Sequence, residues 1–118
     1  MVATGGVVVL ITKPNIWTHA PGGNGADSYD FDGNPCHIIK VKASQGRSAG
    51  NLTVVYLTVP GVGIINLITL YSQGVANPLI DGESQSEEIN LCADFPAGTV
   101  LNWTHTGSIF ITCLFEFK

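Results

Sequence analysis

The sequence predicts an all-β fold: a single-domain β-sandwich of seven to eight antiparallel strands, with a jelly roll or related Greek key as the arrangement. Three observations carry this. Short β-branched runs recur at even spacing, each bounded by Gly, Pro, Asn or Asp. No stretch sustains an apolar repeat of 3.6 residues. The 118 residues fit one domain, and at 45% hydrophobic content and a mean hydropathy of +0.29 they can fill one core.

The strands read as follows. Residues 7–13 form the first, stopped by Pro14. Residues 36–43 form the second, with His37, Ile39, Val41 and Ala43 on one face and Lys40 and Lys42 on the other. Residues 52–59 and 64–71 form a hairpin around Pro60-Gly61-Val62-Gly63. Residues 87–94 alternate Ile89, Leu91 and Ala93 against Asn90, Cys92 and Asp94. Residues 99–105 and 108–117 are parted only by Thr106-Gly107, which predicts a tight hairpin. An eighth strand has room near Trp17 or within residues 28–32. Segments 14–35 and 72–86, rich in Gly, Asn, Asp and Ser, read as long loops, and residues 1–6 as a flexible N-terminal arm.

Two strands carry more apolar groups than a two-layer sandwich can bury. In the last, Ile109, Ile111, Cys113, Phe115 and Phe117 share one face, while Phe110 and Leu114 lie on the other. In residues 64–71, Ile64, Ile68 and Leu70 oppose Ile65, Leu67 and Tyr71. Either long loops fold back over the second faces, or a subunit interface covers them. A charged content of only 12% favours the interface, because charges are depleted at interface centres.

Charge and length exclude other classes. Five basic residues against nine acidic ones give a net charge of −4 and no footprint for nucleic acid. The longest apolar run, residues 7–11, is far short of the ~20 needed to span a bilayer. No positive charge precedes it, so no signal peptide is expected and the product is read as unprocessed and intracellular. Cys36, Cys92 and Cys113 are odd in number and widely spaced, which predicts three free thiols. The sequons at Asn51 and Asn102 read as chance matches.

No residues announce a chemistry. Asp27, Asp30, Asp32 and Asn34 have the spacing of a Ca²⁺ loop, but Gly33 comes too early and Val41 stands where a closing Glu is needed. Cys36 and His37 are neighbours on a strand, so their side chains point apart. We therefore expect no catalytic residue, no metal and no cofactor, and a protein that is not an enzyme. Trp17, read as lying in a loop, is the candidate for an aromatic sugar platform. The residues expected to make contacts with partners are Trp17, Asp30, Phe31, Asp32, Tyr71, Phe110 and Leu114.

The C-terminal part reads LCADFPAGTVLNW over residues 91–103, then THTGSIFITCLFEF over 104–117. It resembles the end of trimeric jelly rolls of the tumour-necrosis-factor and complement globular-head type, in which a Gly-bearing turn leads into a Val-rich strand and, after a short break, a last strand of Phe, Leu and Ile. Thr99 stands where those proteins carry an acidic residue. The whole chain, rich in Thr, Val, Gly and Asn, is similar to the head decoration or cement class of tailed-phage virion proteins. That resemblance implies a non-enzymatic homotrimer, made in the host cytoplasm and located on the capsid surface of the virion. Its partner is the major capsid protein, whose subunit contacts it stabilises from outside, with no nucleic acid or membrane involved. Residues 1–6 and the two long loops are the segments expected to order against neighbours. The alternative is a β-sandwich module that binds carbohydrate or a cell surface, including a phage head-fibre or tail component.

Overall fold

The structure, a computed structural model, describes residues 15–45, 51–71 and 85–118. Eight antiparallel strands among these residues form two four-stranded sheets. They are β1 (Asn15–His19), β2 (Gly25–Tyr29), β3 (Cys36–Gln45), β4 (Leu52–Val59), β5 (Gly63–Tyr71), β6 (Gln85–Phe95), β7 (Val100–His105) and β8 (Ile109–Phe117). One sheet runs β1-β8-β3-β6 and the other β2-β7-β4-β5. The pairs β1–β8, β2–β7, β3–β6 and β4–β5 are those made by folding one long hairpin about the β4–β5 turn. Rolling that hairpin sends its successive pairs alternately to two sheets, which is the jelly roll.

The turn at the centre of the hairpin has the chemistry it needs. Pro60 presets φ, Gly61 takes φ of 78°, and the N–H of Val62 donates to the carbonyl of Val59 at 3.0 Å. Gly63 follows at φ of 106°.

Segment 14–35 is not one long loop. It holds β1, β2 and a short 3-10 turn, Phe31–Gly33. NIWTH, with Ile16, Trp17 and Thr18, fills the room for an eighth strand expected near Trp17, whereas GADSY carries no β-branched residue. Both pair on the free edges of β8 and β7, and in GADSY that tertiary pairing overrides local preference. The strand expected at 7–13, the arm 1–6 and residues 72–84 lie outside the described residues, while Gln85 and Ser86 belong to β6.

Two bulges correct the expected faces. In β3, Ile38 pairs with Phe115 but Lys40 pairs with Leu114, so Ile39 is an extra residue. The phase of the strand flips there. Cys36 and Ile38 join Val41 and Ala43 in the core, and His37 faces out. On β6, Leu91 and Cys92 stand opposite that same residue, with Cys92 at φ of 48°. In β5, Val55 pairs with Ile68 and Tyr56 with Asn66, which leaves Leu67 extra. Leu67, Ile68 and Leu70 are all buried as a result. Much of the apolar surplus expected on this strand is therefore absorbed inside one chain.

The core is filled from both sheets by Trp103, Phe31, Phe115, Ile38, Leu57 and their neighbours. At one end of the sandwich a buried polar cluster joins four strands. Gln45 Nε2 donates to Gln85 Oε1 at 2.8 Å and to the carbonyl of Asn51 at 3.2 Å. Thr53 Oγ1 donates to Gln45 Oε1 at 2.8 Å, and Gln85 Nε2 to the Tyr71 carbonyl at 2.8 Å. His105, also buried, places Nδ1 2.6 Å from the Gly23 carbonyl and 2.9 Å from that of Gly107. It thus ties the β1–β2 connection to the β7–β8 turn.

Candidate interaction surface

The two outer faces of the sandwich differ in charge. Strand alternation points Leu52, Val54, Tyr56 and Thr58 of β4 outward, because Thr53, Val55, Leu57 and Val59 fill the core. The register carries this across the sheet in rows. Ser28, Asn102, Tyr56 and Asn66 stand side by side, and Ala26, Thr104, Val54 and Thr69 form the next row. Val100, Thr58 and Ile64 make a third, and Leu52 pairs with Tyr71. None of these residues is charged. Ile64 is 67% exposed and Tyr71 53%, and Leu52 is exposed as well. Every Asp, Glu and Lys among the described residues lies elsewhere on the molecule.

The opposite face, on β1-β8-β3-β6, holds the ion pairs. Lys40 Nζ lies 2.7 Å from Glu88 Oε2. Asp94 takes His37 Nδ1 at 2.6 Å on one oxygen and Lys118 Nζ at 2.8 Å on the other. The Lys118 hydrogen bond, then that of His37, hold the Asp94 carboxyl below its ordinary value, and the Lys40 hydrogen bond does the same for Glu88. These pairs are exposed, so they fix charge placement more than stability. An apolar strip remains on the β1–β8 half, where Ile16, 68% exposed, pairs with Leu114 beside Lys40.

The residues expected to make contacts are not brought together. Phe110 and Tyr71 are exposed and Leu114 is half-buried, on opposite faces of the sandwich. Phe31 is fully buried against Tyr29 and Phe115, with ring centroids 4.9 and 5.0 Å away, so it is a core residue and not a contact. Asp30 and Asp32 belong to the 3-10 turn. Asp30 Oδ1 accepts from the N–H of Asp32 at 2.9 Å, and its carbonyl from the N–H of Gly33 at 3.1 Å. Among the described residues no group of three or more His, Cys, Asp or Glu side chains is placed to hold a metal.

Trp17 is not an exposed loop residue. It sits half-buried on β1 and points between the sheets, stacked on Tyr29 at 4.8 Å and 12° and on His19 at 5.7 Å and 21°. Trp103 lies 5.2 Å from both Trp17 and His19. These rings close the margin of the sandwich between edge strands β1 and β2. They use faces of the Trp17 ring that a sugar would need.

The thiols divide by position. Cys36 and Cys113 are buried, and loss of solvent pushes their pKa values up to about 11 and about 12, with Asp94 adding to the first and Cys36 to the second. Both are protonated and unreactive at neutral pH. Cys92 is exposed on the β6 bulge, its Sγ 3.8 Å from the Ile39 carbonyl. All three are free cysteines, as their odd number and spacing predict.

The sequence reading did not single out the uncharged outer face of β4 and β7. Its signal was present: positions 52, 54, 56 and 58, and 100, 102 and 104, carry no charge although alternation exposes them. Searching for an excess of apolar residues does not find a surface marked by the lack of charge.

Fold and faces together define a jelly-roll β-sandwich with one uncharged sheet face. No protein-family model matches the chain, and no curated protein does. Among solved structures it is similar to the Yersinia pseudotuberculosis-derived mitogen, at 12% identity over 89% of this chain and 87% of that one, with a TM-score of 0.44. It is also similar to a chain of the infectious bursal disease virus Gx strain, at 10% identity, 90% and 37% coverage and a TM-score of 0.33. The VP2 subviral particle of infectious bursal disease virus gives 11% identity, 88% and 38% coverage and a TM-score of 0.31. The chain spans a little over a third of the length of those viral chains.

Proposed function

We propose that the protein is a non-enzymatic structural subunit of a virion, a capsid decoration or cement protein. In this reading it is made in the host cytoplasm, assembles as a homotrimer and binds the outside of the capsid, where it ties major capsid protein subunits together. It needs no cofactor, nucleic acid or membrane. The observation that supports the reading best is the uncharged outer face of β2-β7-β4-β5, with Ile64, Leu52 and Tyr71 exposed on it. Such a face is suited to permanent cover by protein, because interface centres are depleted of charge and enriched in aromatic residues.

The mechanism is area and multivalency. Shell subunits are held by many modest contacts, and each is strained by the packaged genome. A rigid trimer offers three equivalent contact sets, so once one engages, the others bind at high effective concentration. Particles assembled without the protein are expected to release their genome at lower temperature than complete ones, and adding purified protein back restores the difference. Equal release temperatures, or absence of the protein from purified particles, would show the cement reading to be wrong.

A further inference from the structure

We propose that residues 15–30 form a strap that opens as one unit from the rest of the sandwich and uncovers the edges of β7 and β8. Such a strap is a property of the single chain and stands apart from the virion reading. Three observations carry it. The first is burial. No residue from Asn15 to Asp30 is fully buried, whereas β3 buries Cys36, Ile38, Val41, Ala43 and Gln45. Strands β1 and β2 are five residues long, and each is bonded to a single neighbour at the end of its sheet. Segments with few buried apolar groups open at lower free energy than the core.

The second is that the two strands are tied to each other although they belong to different sheets. Trp17 of β1 lies on Tyr29 of β2 at 4.8 Å and 12°. The connection between them has its own fastening. His105 Nδ1 faces two carbonyls, Gly23 at 2.6 Å and Gly107 at 2.9 Å, so this nitrogen carries the hydrogen and donates it. The N–H of Ile109 donates to the Pro21 carbonyl at 3.1 Å. Losing these bonds releases β1 and β2 together. At its far end the strap stops at Phe31, a buried anchor in the 3-10 turn, where Phe31, Asp32 and Gly33 all have positive φ.

The third is Trp103, which sits under the strap. Asp27 of β2 is its register partner, and the Trp17 and His19 rings of β1 lie 5.2 Å from it. Its indole N–H is buried and has no hydrogen-bond partner among the described residues. A buried donor left unsatisfied works against the closed state, and water satisfies it once the strap lifts. Ring stacking and a few hydrogen bonds thus hold the strap shut against one polar group that favours release. Beneath it, β7 and β8 are rich in Val, Ile, Phe, Trp and Thr, residues suited to strand pairing, and a short edge strand is a common cover for such an edge.

The test is hydrogen exchange followed by NMR on the isotope-labelled full chain. The bonded amides of β1 and β2 and the indole N–H of Trp103 are expected to share one degree of protection, clearly below that of the β3 and β4 amides. Gly23→Ala then loosens the strap alone. Gly23 has φ of 71° and a Cβ there meets nothing within 4 Å, so alanine strains the closed connection without touching the core. It should lower the protection of all three groups by about tenfold and leave β3 and β4 unchanged. Should the variant not fold, the wild-type comparison decides alone. Strands β1 and β2 that exchange independently, or that are as protected as β4, would overturn the proposal. So would a Trp103 indole N–H that stays protected while the strands exchange, or a Gly23→Ala strap that exchanges like wild type.

Discussion

Trp103→Ala is expected to lower the stability of the fold by about 3–5 kcal/mol. The indole is 2% exposed and lies between sheets, 5.2 Å from both Trp17 and His19. Its removal would leave a cavity where edge strands β1 and β2 are closed only by stacked rings, and Trp17 and Tyr29 would lose the surface they pack against. Domains of this size are stable by about 5–15 kcal/mol, so the variant should be near its folding limit. Trp103→Phe separates packing from polarity. The indole N–H is buried without a hydrogen-bond partner, so the phenyl ring gives up no hydrogen bond. Urea unfolding should show a clearly smaller loss for Phe than for Ala. Equal losses would mean that the indole N–H matters and that the packing account is incomplete.

Gln45→Leu should cost about 2–4 kcal/mol although it adds apolar volume to a buried site. Gln45 is 3% exposed, and its amide joins Thr53, Gln85 and the Asn51 carbonyl. Leucine would leave those groups without that partner in a region closed to water, at about 1–3 kcal/mol for each buried group left unsatisfied. The effect should centre on the end of the sandwich where β3, β4, β5 and β6 meet. Hydrogen exchange should speed up first at Asn51, Thr53 and Gln85, before the β1–β8 pair is affected. Unchanged stability would mean that the cluster is merely accommodated and does not hold the sheets together.

Strand existence was legible wherever side-chain alternation was strong. Leu52 to Val59, Ile109 to Phe117 and Glu87 to Asp94 pattern as strands on their own, and Pro60-Gly61 specifies its turn by backbone chemistry alone. The edge strands β1 and β2 were legible only as room for one further strand near Trp17 or within residues 28–32, because GADSY becomes extended only when β7 lends it a hydrogen-bonding edge. The bulges at Ile39 and Leu67 were hidden too, since an extra residue leaves no mark on composition and only shifts the phase of alternation. That shift moved His37 out of the core and brought Leu67 and Ile68 into it together. Phe31 shows the same limit at a candidate contact. Its acidic neighbours suggested a surface loop, yet a left-handed backbone at φ of 56° turns the ring inward.

The claim at the centre of this account is that the protein acts through an uncharged sheet face covered in the assembly. Hydroxyl-radical footprinting of assembled and unfolded protein, read by mass spectrometry, tests it most directly. The Tyr56, Tyr71 and Leu52 side chains should be protected in the assembly, while Ile16 on the opposite face continues to react. Labelling of Tyr56, Tyr71 and Leu52 at the level of their exposure in a single chain would contradict the claim.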